Sequence, residues 1–371
     1  MIKRDKCVFC GDIQLIPFRE ISMPVSMSCL DKPVVDDFEV LQFCFCRKCE
    51  TIQLGYLAEP YRVYMVNLNY TTVGETWKTH MEAFSEFIKK HNPKNVLEIG
   101  SPTGELFSKV NNESLEHWTI YEQTPSPNAI ISDKLTIKHS YFDTSTLIKE
   151  KVDTVVFSHV LEHLYQPREI LEKLYDILPE NGQIILSFPN MEYIADHDLM
   201  PPYNMHFEHT YYLTQSGLEA MIANTGFRIV NLIHHKNHAI FVAAQKANKL
   251  NLPAPFNRSA ISRLYTFFDN IQKDMREVNQ KIKGKKEVYL YAAHSASQYL
   301  LQSGLQMFNI QAFLDNSKLK QGKFLYGYTF PIYNPECIKD NINPIVICRM
   351  GIYNQEIINK LKSINPQVEI I

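Results

Sequence analysis

The sequence predicts an α/β protein: a mostly parallel sheet covered by helices on both faces, set between a cysteine-rich N-terminal module and a second, C-terminal α/β unit. Three observations predict it. Short apolar runs at 95–99, 118–122, 153–158 and 183–188 alternate with helical segments such as 167–178, as in a parallel sheet with crossover helices. Six of the eight cysteines (7, 10, 29, 44, 46 and 49) fall within about the first 55 residues. A fresh series of strands and helices opens near residue 287, beyond an Asn-Leu-Pro-Ala-Pro stretch at 251–255 that reads as a linker.

Length and composition support several packed units. At 371 residues, 45% hydrophobic and 12% aromatic, the chain suffices for two or three domains, expected at 1–70, 71–250 and 251–371. Lys and Arg number 38 against 40 Asp and Glu, a formal charge of -2, without the basic excess that phosphate neutralisation needs. Nucleic acid and membrane are therefore not expected partners; a small-molecule substrate is, with the chain a monomer or weak homo-oligomer. No stretch reads as a membrane span, and no apolar core follows the early Lys3 and Arg4, so a cytoplasmic protein is expected. There, cysteines point to metal or free thiols, not to a disulfide framework.

The elements follow in order. The first 55 or so residues read as short and irregular, with no helix-length periodicity. Met81, Phe84, Phe87 and Ile88 recur at helical spacing within about 72–91, and Asn92-Pro93 breaks that helix before the first strand. Two apolar runs, 228–233 and 239–244, suit an antiparallel pair closing the same sheet. A polar amphipathic helix is expected over 259–283, then strands at 287–291, 310–314 and 344–348 with a helix near 297–305.

Cys7-Val-Phe-Cys10 and Cys46-Arg-Lys-Cys49 form two C-x2-C knuckles, a pattern that offers four soft thiolates to a tetrahedral zinc ion. Four cysteines leave no open position, so the expected role of zinc is structural. Cys44 alternates with Cys46 and suits a hairpin strand better than the metal.

The strand ending in Glu98-Ile-Gly100, with a second glycine at Gly104 before a helix, places backbone beside a ligand at the carboxyl edge of a sheet, where a side chain would block approach. The next strand ends in Glu122, whose carboxylate can accept both hydroxyl hydrogen bonds of a ribose. The G-x-G-x-x-G spacing of a phosphate-binding turn is absent.

The stretch 152–163, Val-Asp-Thr-Val-Val-Phe-Ser-His-Val-Leu-Glu-His, resembles the fourth-strand motif of class I methyltransferases, and 178–187, Leu-Pro-Glu-Asn-Gly-Gln-Ile-Ile-Leu-Ser, resembles their approach to strand five. The resemblance implies a class I Rossmann-like sheet with S-adenosylmethionine as cofactor. It implies that Glu98 and Gly100 line the methionine end, with Ser101 and Gly104 in the same turn. It further implies Glu122 on the ribose, Phe142 and Asp143 beside the adenine, and Ser158 with His159 below the sulfonium. Glu162 and His163 read as a helix cap or as a pair that satisfy each other.

The order of zinc module, methyltransferase core and C-terminal Rossmann-like domain resembles the deoxysugar C-methyltransferases, which methylate a carbon next to the ketone of a nucleotide-linked sugar. Matching stretches include Cys46-Arg-Lys-Cys49, Tyr70-Thr-Thr with His80 ten residues on, 207–214 (Phe-Glu-His-Thr-Tyr-Tyr-Leu-Thr) and 313–322, which resembles the family's D-x-x-x-x-K-Q-G element. The resemblance implies His209 as general base, Glu208 as its neighbour and Tyr70 as a hydroxyl donor. Imidazole suits the task, since its pKa lies near neutrality. The chain departs from the family at Pro102-Thr103 in the cofactor turn, at His206 in place of a tyrosine, at 237–240 (Asn-His-Ala-Ile) and at 291–294 (Tyr-Ala-Ala-His). Two other enzymes fit the same turn: an O-methyltransferase on a nucleotide-linked or capsule sugar, and a zinc-bearing RNA methyltransferase, disfavoured by the balanced charge. A binding protein that kept the fold without catalysis is the third alternative.

Overall fold

The computed structural model describes residues 1–66, 74–189, 204–236, 239–253 and 258–371. The N-terminal module is more regular than expected. Strands Leu15–Pro24 and Phe38–Cys46 form a long antiparallel hairpin, joined by Ile52–Leu54. A register shift between Pro17 and Arg19 interrupts the two-residue alternation by which a strand is read from sequence. The fourth strand of this sheet, Tyr211–Tyr212, comes from far along the chain and pairs with Ile52 and Gln53.

The central sheet has seven strands: Asn95–Ile99, His117–Glu122, Leu135–His139, Thr154–Ser158, Gln183–Pro189, Phe227–His235 and Ala239–Lys246. Counted in that order they lie 3-2-1-4-5-7-6, and the seventh runs antiparallel to both its neighbours. The expected antiparallel closing pair is therefore present. Val155, Val156 and Phe157 and their neighbours Ile184, Ile185 and Leu186 are fully buried, because helices cover both faces of the sheet. Phe84, Phe87, Leu106 and Phe107 pack on one face with Val156 and Ile185. Ile170, Leu171 and Leu218 pack on the other with Val155 and Phe157.

The C-terminal unit holds a five-stranded parallel sheet, Val288–Tyr291, Ile310–Leu314, Ile332–Tyr333, Ile345–Cys348 and Glu369–Ile370, in the order 3-2-1-4-5. The helix Arg258–Ile282 precedes it. Phe268, Met275 and Val278 of that helix share one core with Leu41 and Phe43 of the hairpin and Leu290 and Phe313 of the sheet. Three further ties bind the units. Cys29–Leu30 pairs with Phe324–Leu325, and Gln298 Nε2 donates to Ser26 O and Tyr326 O, both at 2.8 Å. Glu356 accepts the backbone N–H of Glu75 at 2.8 Å and of Thr76 at 3.3 Å, so its carboxylate satisfies the orphan donors at the start of helix Glu75–Lys89.

Candidate active site

The central sheet reverses direction of winding between its first and fourth strands, and in open α/β sheets ligands bind outside the carboxyl ends of the strands at that point. A cavity of about 470 Å3 opens there. Glu98, Gly100 and Ser101 line it from the first strand and its turn, and Ser158 and His159 from the end of the fourth. Tyr291, His294 and Asp315, at the carboxyl ends of strands in the C-terminal sheet, line the opposite wall. Two Rossmann-like sheets thus turn their carboxyl edges to one cavity. A larger, more open depression of about 890 Å3 near Tyr175, Phe227 and Lys246 contains none of the predicted site residues.

The turn at 100–104 has the backbone shape that its two glycines predict. Gly100 and Gly104 sit at φ 75° and 77°, and a Cβ on Gly100 would lie 2.7 Å from Val160 Cγ2. Pro102 O and Thr103 O accept the N–H groups of Ser126 at 2.9 Å and Ile130 at 2.9 Å, so backbone pairing fixes the turn at Pro102-Thr103. Glu98 is 1% exposed, and burial pushes its carboxyl up to about 8, while hydrogen bonds from Trp118 and Ser101 pull it back in part. Such a group is suited to the cationic end of a methionine moiety. His159 holds φ 53°, a left-handed conformation uncommon for a non-glycine residue, directly after the fourth strand. Its ring stands edge-on to Trp77 at 5.1 Å, and burial lowers its pKa to about 3.

The remaining cofactor candidates lie elsewhere. Glu122 is buried at the end of its strand, and its Oε1 accepts from Thr124 N at 2.8 Å; burial raises its pKa. Phe142 packs edge-on to Tyr121 at 5.4 Å, and Asp143 Oδ1 accepts from the N–H of Ser145 at 2.8 Å and of Thr146 at 3.1 Å in a local turn. None of these three is among the residues lining the cavity.

Four imidazoles meet on the floor of the cavity: His159, His163, His206 and His209. The His209 ring lies 4.6 Å from His206 and 4.9 Å from His163. Hydrogen bonds from Thr210 bring them together: its N–H donates to Glu162 O at 3.0 Å and its Oγ1 to Leu164 O at 2.8 Å. Burial, and then the neighbouring imidazoles, hold His209 well below the ordinary histidine pKa, so it is neutral and a weaker base than an ordinary imidazole. His206 Nδ1 accepts the Glu208 N–H at 3.2 Å. The Glu208 carboxylate turns to His163, with Oε2 at 3.6 Å from Nδ1, and burial raises its pKa to about 8. Tyr70 and the 237–238 stretch fall outside the described residues.

Tyr64 carries no sequence signal, while Glu162 and His163 read from sequence only as a cap or a mutual pair. Tyr64 OH stands 3.0 Å from His163 Nδ1, and the two rings stack at 6.4 Å. His163 therefore lines the cavity floor. Glu162 is 1% exposed and stands with Oε1 3.3 Å from His159 Nδ1. The His159-x-x-Glu162-His163 spacing at a strand's carboxyl end was the available signal; Tyr64 had none.

Cys7, Cys10, Cys46 and Cys49 place their sulfurs within 4.8 Å of one another, with Cys7 to Cys49 at 3.5 Å and Cys10 to Cys46 at 3.6 Å. A tetrahedron with metal–sulfur bonds of about 2.3 Å has edges of about 3.8 Å, so the donor set fits a thiolate-bound ion. Cys44 lies in its hairpin strand with Sγ 3.4 Å from Gln42 Oε1, outside this group.

A family model described as a methyltransferase domain matches residues 75–232, and one described as a C-methyltransferase C-terminal domain matches residues 242–368. The chain is an S-adenosylmethionine-dependent methyltransferase. No curated protein matches this methyltransferase. Among solved structures it is similar to the 1,6-didemethyltoxoflavin-N1-methyltransferase of Burkholderia thailandensis, bound to 1,6-didemethyltoxoflavin and S-adenosylhomocysteine. That match has 15% identity and a TM-score of 0.40 over 55% of this chain and 98% of the other. The N-methyltransferase NodS of Bradyrhizobium japonicum, in complex with S-adenosylhomocysteine, matches at 13% identity and TM-score 0.35 over 47% of this chain and 89% of the other. An S-adenosylmethionine-dependent methyltransferase from Mesorhizobium loti matches at 11% identity and TM-score 0.37, over 47% and 99%. Among the described residues of the methyltransferase, no helix is long and apolar enough to cross a membrane.

Proposed function

We propose that this methyltransferase acts on a nucleotide-linked keto-deoxy sugar in the cytoplasm, methylating the carbon beside the ketone with His209 as general base. One observation carries the reading. Two sheets of the kind that bind nucleotides present their carboxyl edges to a single cavity, with His209 on its floor. One edge suits the cofactor, and the other suits the nucleotide of the acceptor.

Bound S-adenosylmethionine supplies the electrophilic methyl group. Glu98 would hold its ammonium end, with Gly100, Ser101 and Gly104 giving backbone access and Ser158 and His159 bordering the sulfonium; Glu122 is assigned to the ribose, and Phe142 and Asp143 to the adenine, beyond the residues that line the cavity. Neutral His209 takes the proton from the carbon next to the ketone. His206 and His163 fix its position, Glu208 and Tyr64 orient His163, and Tyr70 is assigned as a hydroxyl donor. A positioned base contributes about 10²- to 10⁴-fold to such a step. Zinc is assigned to the four cysteines, holding the module whose sheet shares the Tyr211–Tyr212 strand next to His209.

The test is incubation with S-adenosylmethionine and a panel of nucleotide-linked 4-keto and hydroxy sugars, scored for the mass gain of one methyl group. A keto sugar is expected to gain it. Methylation confined to hydroxy sugars contradicts the carbon acceptor and favours the oxygen one.

A further inference from the structure

We propose that Glu162, His163 and His209 form a second metal site, distinct from the four-cysteine cluster, for a divalent transition-metal ion of the zinc or cobalt class, and that this ion and base catalysis by His209 exclude each other. The second half rests on the reading of His209 as the base.

One carboxylate oxygen of Glu162 and one ring nitrogen each of His163 and His209 lie within 4.8 Å of one another. Two imidazoles and a carboxylate are a recurrent donor set for zinc and related ions, with remaining positions left open. Here the open side is the cavity, which His163 and His209 line and through which an ion can enter.

Two independent features point to a cation at this place. Glu162 is buried; its Oε2 has no hydrogen-bond partner among the described residues, and its Oε1 lies 3.3 Å from His159 Nδ1 outside hydrogen-bond geometry. A buried carboxylate without hydrogen bonds is costly, and a bound cation removes the cost. His163 also has the support that metal-bound histidines carry. Its Nδ1 faces Tyr64 OH at 3.0 Å and Glu208 Oε2 at 3.6 Å, which leaves Nε2 as the nitrogen with the lone pair. The same nitrogen lone pair on His209 cannot bind a metal and take a substrate proton at once.

Full-length protein carrying one equivalent of zinc, enough to fill the four-cysteine cluster, is titrated with Co2+ and followed by visible absorption. One equivalent is expected to give ligand-field bands without thiolate charge-transfer bands. Glu162→Gln should weaken that binding by on the order of 100-fold, and Glu208→Gln, which acts only through His163, by about 10- to 100-fold. Binding of S-adenosylhomocysteine by each variant checks that it is folded. Absorption from the cysteine cluster alone, or bands that both variants leave unchanged, overturns the site. Turnover of the same samples should fall in proportion to Co2+ occupancy and return on chelation. Full turnover with the site occupied overturns the mutual exclusion and counts against His209 as base, an outcome separate from absence of binding.

Discussion

Trp118 Nε1 donates a 2.8 Å hydrogen bond to Glu98 Oε2 between neighbouring parallel strands, inside a site whose burial raises the Glu98 carboxyl to about 8. Its folded pKa lies above the ordinary 4.5, so the neutral form is favoured by folding. The resulting stability is full below 4.5 and is lost as pH rises through about 8. An arriving ammonium group reverses the preference and favours the carboxylate. Cofactor binding is therefore expected to release a proton and to tighten as pH rises toward about 8. Calorimetry in buffers of different ionisation enthalpy reads the proton, and an affinity flat over about pH 6 to 9 contradicts the assignment. Glu98→Gln should weaken binding by about 10- to 100-fold, the loss of a charged hydrogen bond worth about 1.5–3 kcal/mol, and abolish the pH dependence.

Arg4 is buried and donates to three carbonyls, Leu54 O at 3.1 Å, Tyr165 O at 3.0 Å and Thr210 O at 3.5 Å. It ties the N-terminal module to the residue that follows His209. Arg4→Met should cost about 1.5–3 kcal/mol in denaturant unfolding. It should also lower kcat while leaving cofactor affinity unchanged. Loss of cofactor binding in a protein that remains folded would contradict this placement.

For the cysteine cluster, elemental analysis should find about one zinc per chain fewer in Cys46→Ser than in the native protein, with a fall in Tm of roughly 5 °C or more. Cys44→Ser should keep its zinc, because Cys44 Sγ faces Gln42 and not the cluster. Equal zinc loss in the two variants would refute the ligand set.

Tyr64→Phe removes the hydroxyl beside His163 Nδ1 and leaves the ring stack. The expected loss in kcat is about tenfold, or about 1.4 kcal/mol, with cofactor affinity unchanged. A variant with wild-type kcat would show that the hydroxyl does not position the imidazole.

The central sheet was legible because its strands are buried on both faces and read as continuous apolar runs: Val155–Phe157 and Ile184–Leu186 stand out at any register. The four-cysteine cluster was legible from spacing alone. The hairpin over Leu15–Pro24 and Phe38–Cys46 was not, because prolines and a register shift break its alternation. Nor were Arg4 and Tyr64, whose partners lie 161 and 99 residues away at Tyr165 and His163. Local periodicity carries no trace of such pairings. His163 illustrates the middle case: its motif was visible, but its role depends on a loop that closes over it from residues 206–210.

The central claim is that His209 removes a proton from the carbon beside a ketone. Deuterium exchange at that carbon, followed by mass spectrometry in deuterated water with an accepted keto sugar and without S-adenosylmethionine, tests it directly. The wild-type enzyme is expected to exchange the proton, and His209→Asn to lose at least about 100-fold of that rate. Exchange that persists in His209→Asn, or methyl transfer by an enzyme that catalyses no exchange, would contradict it.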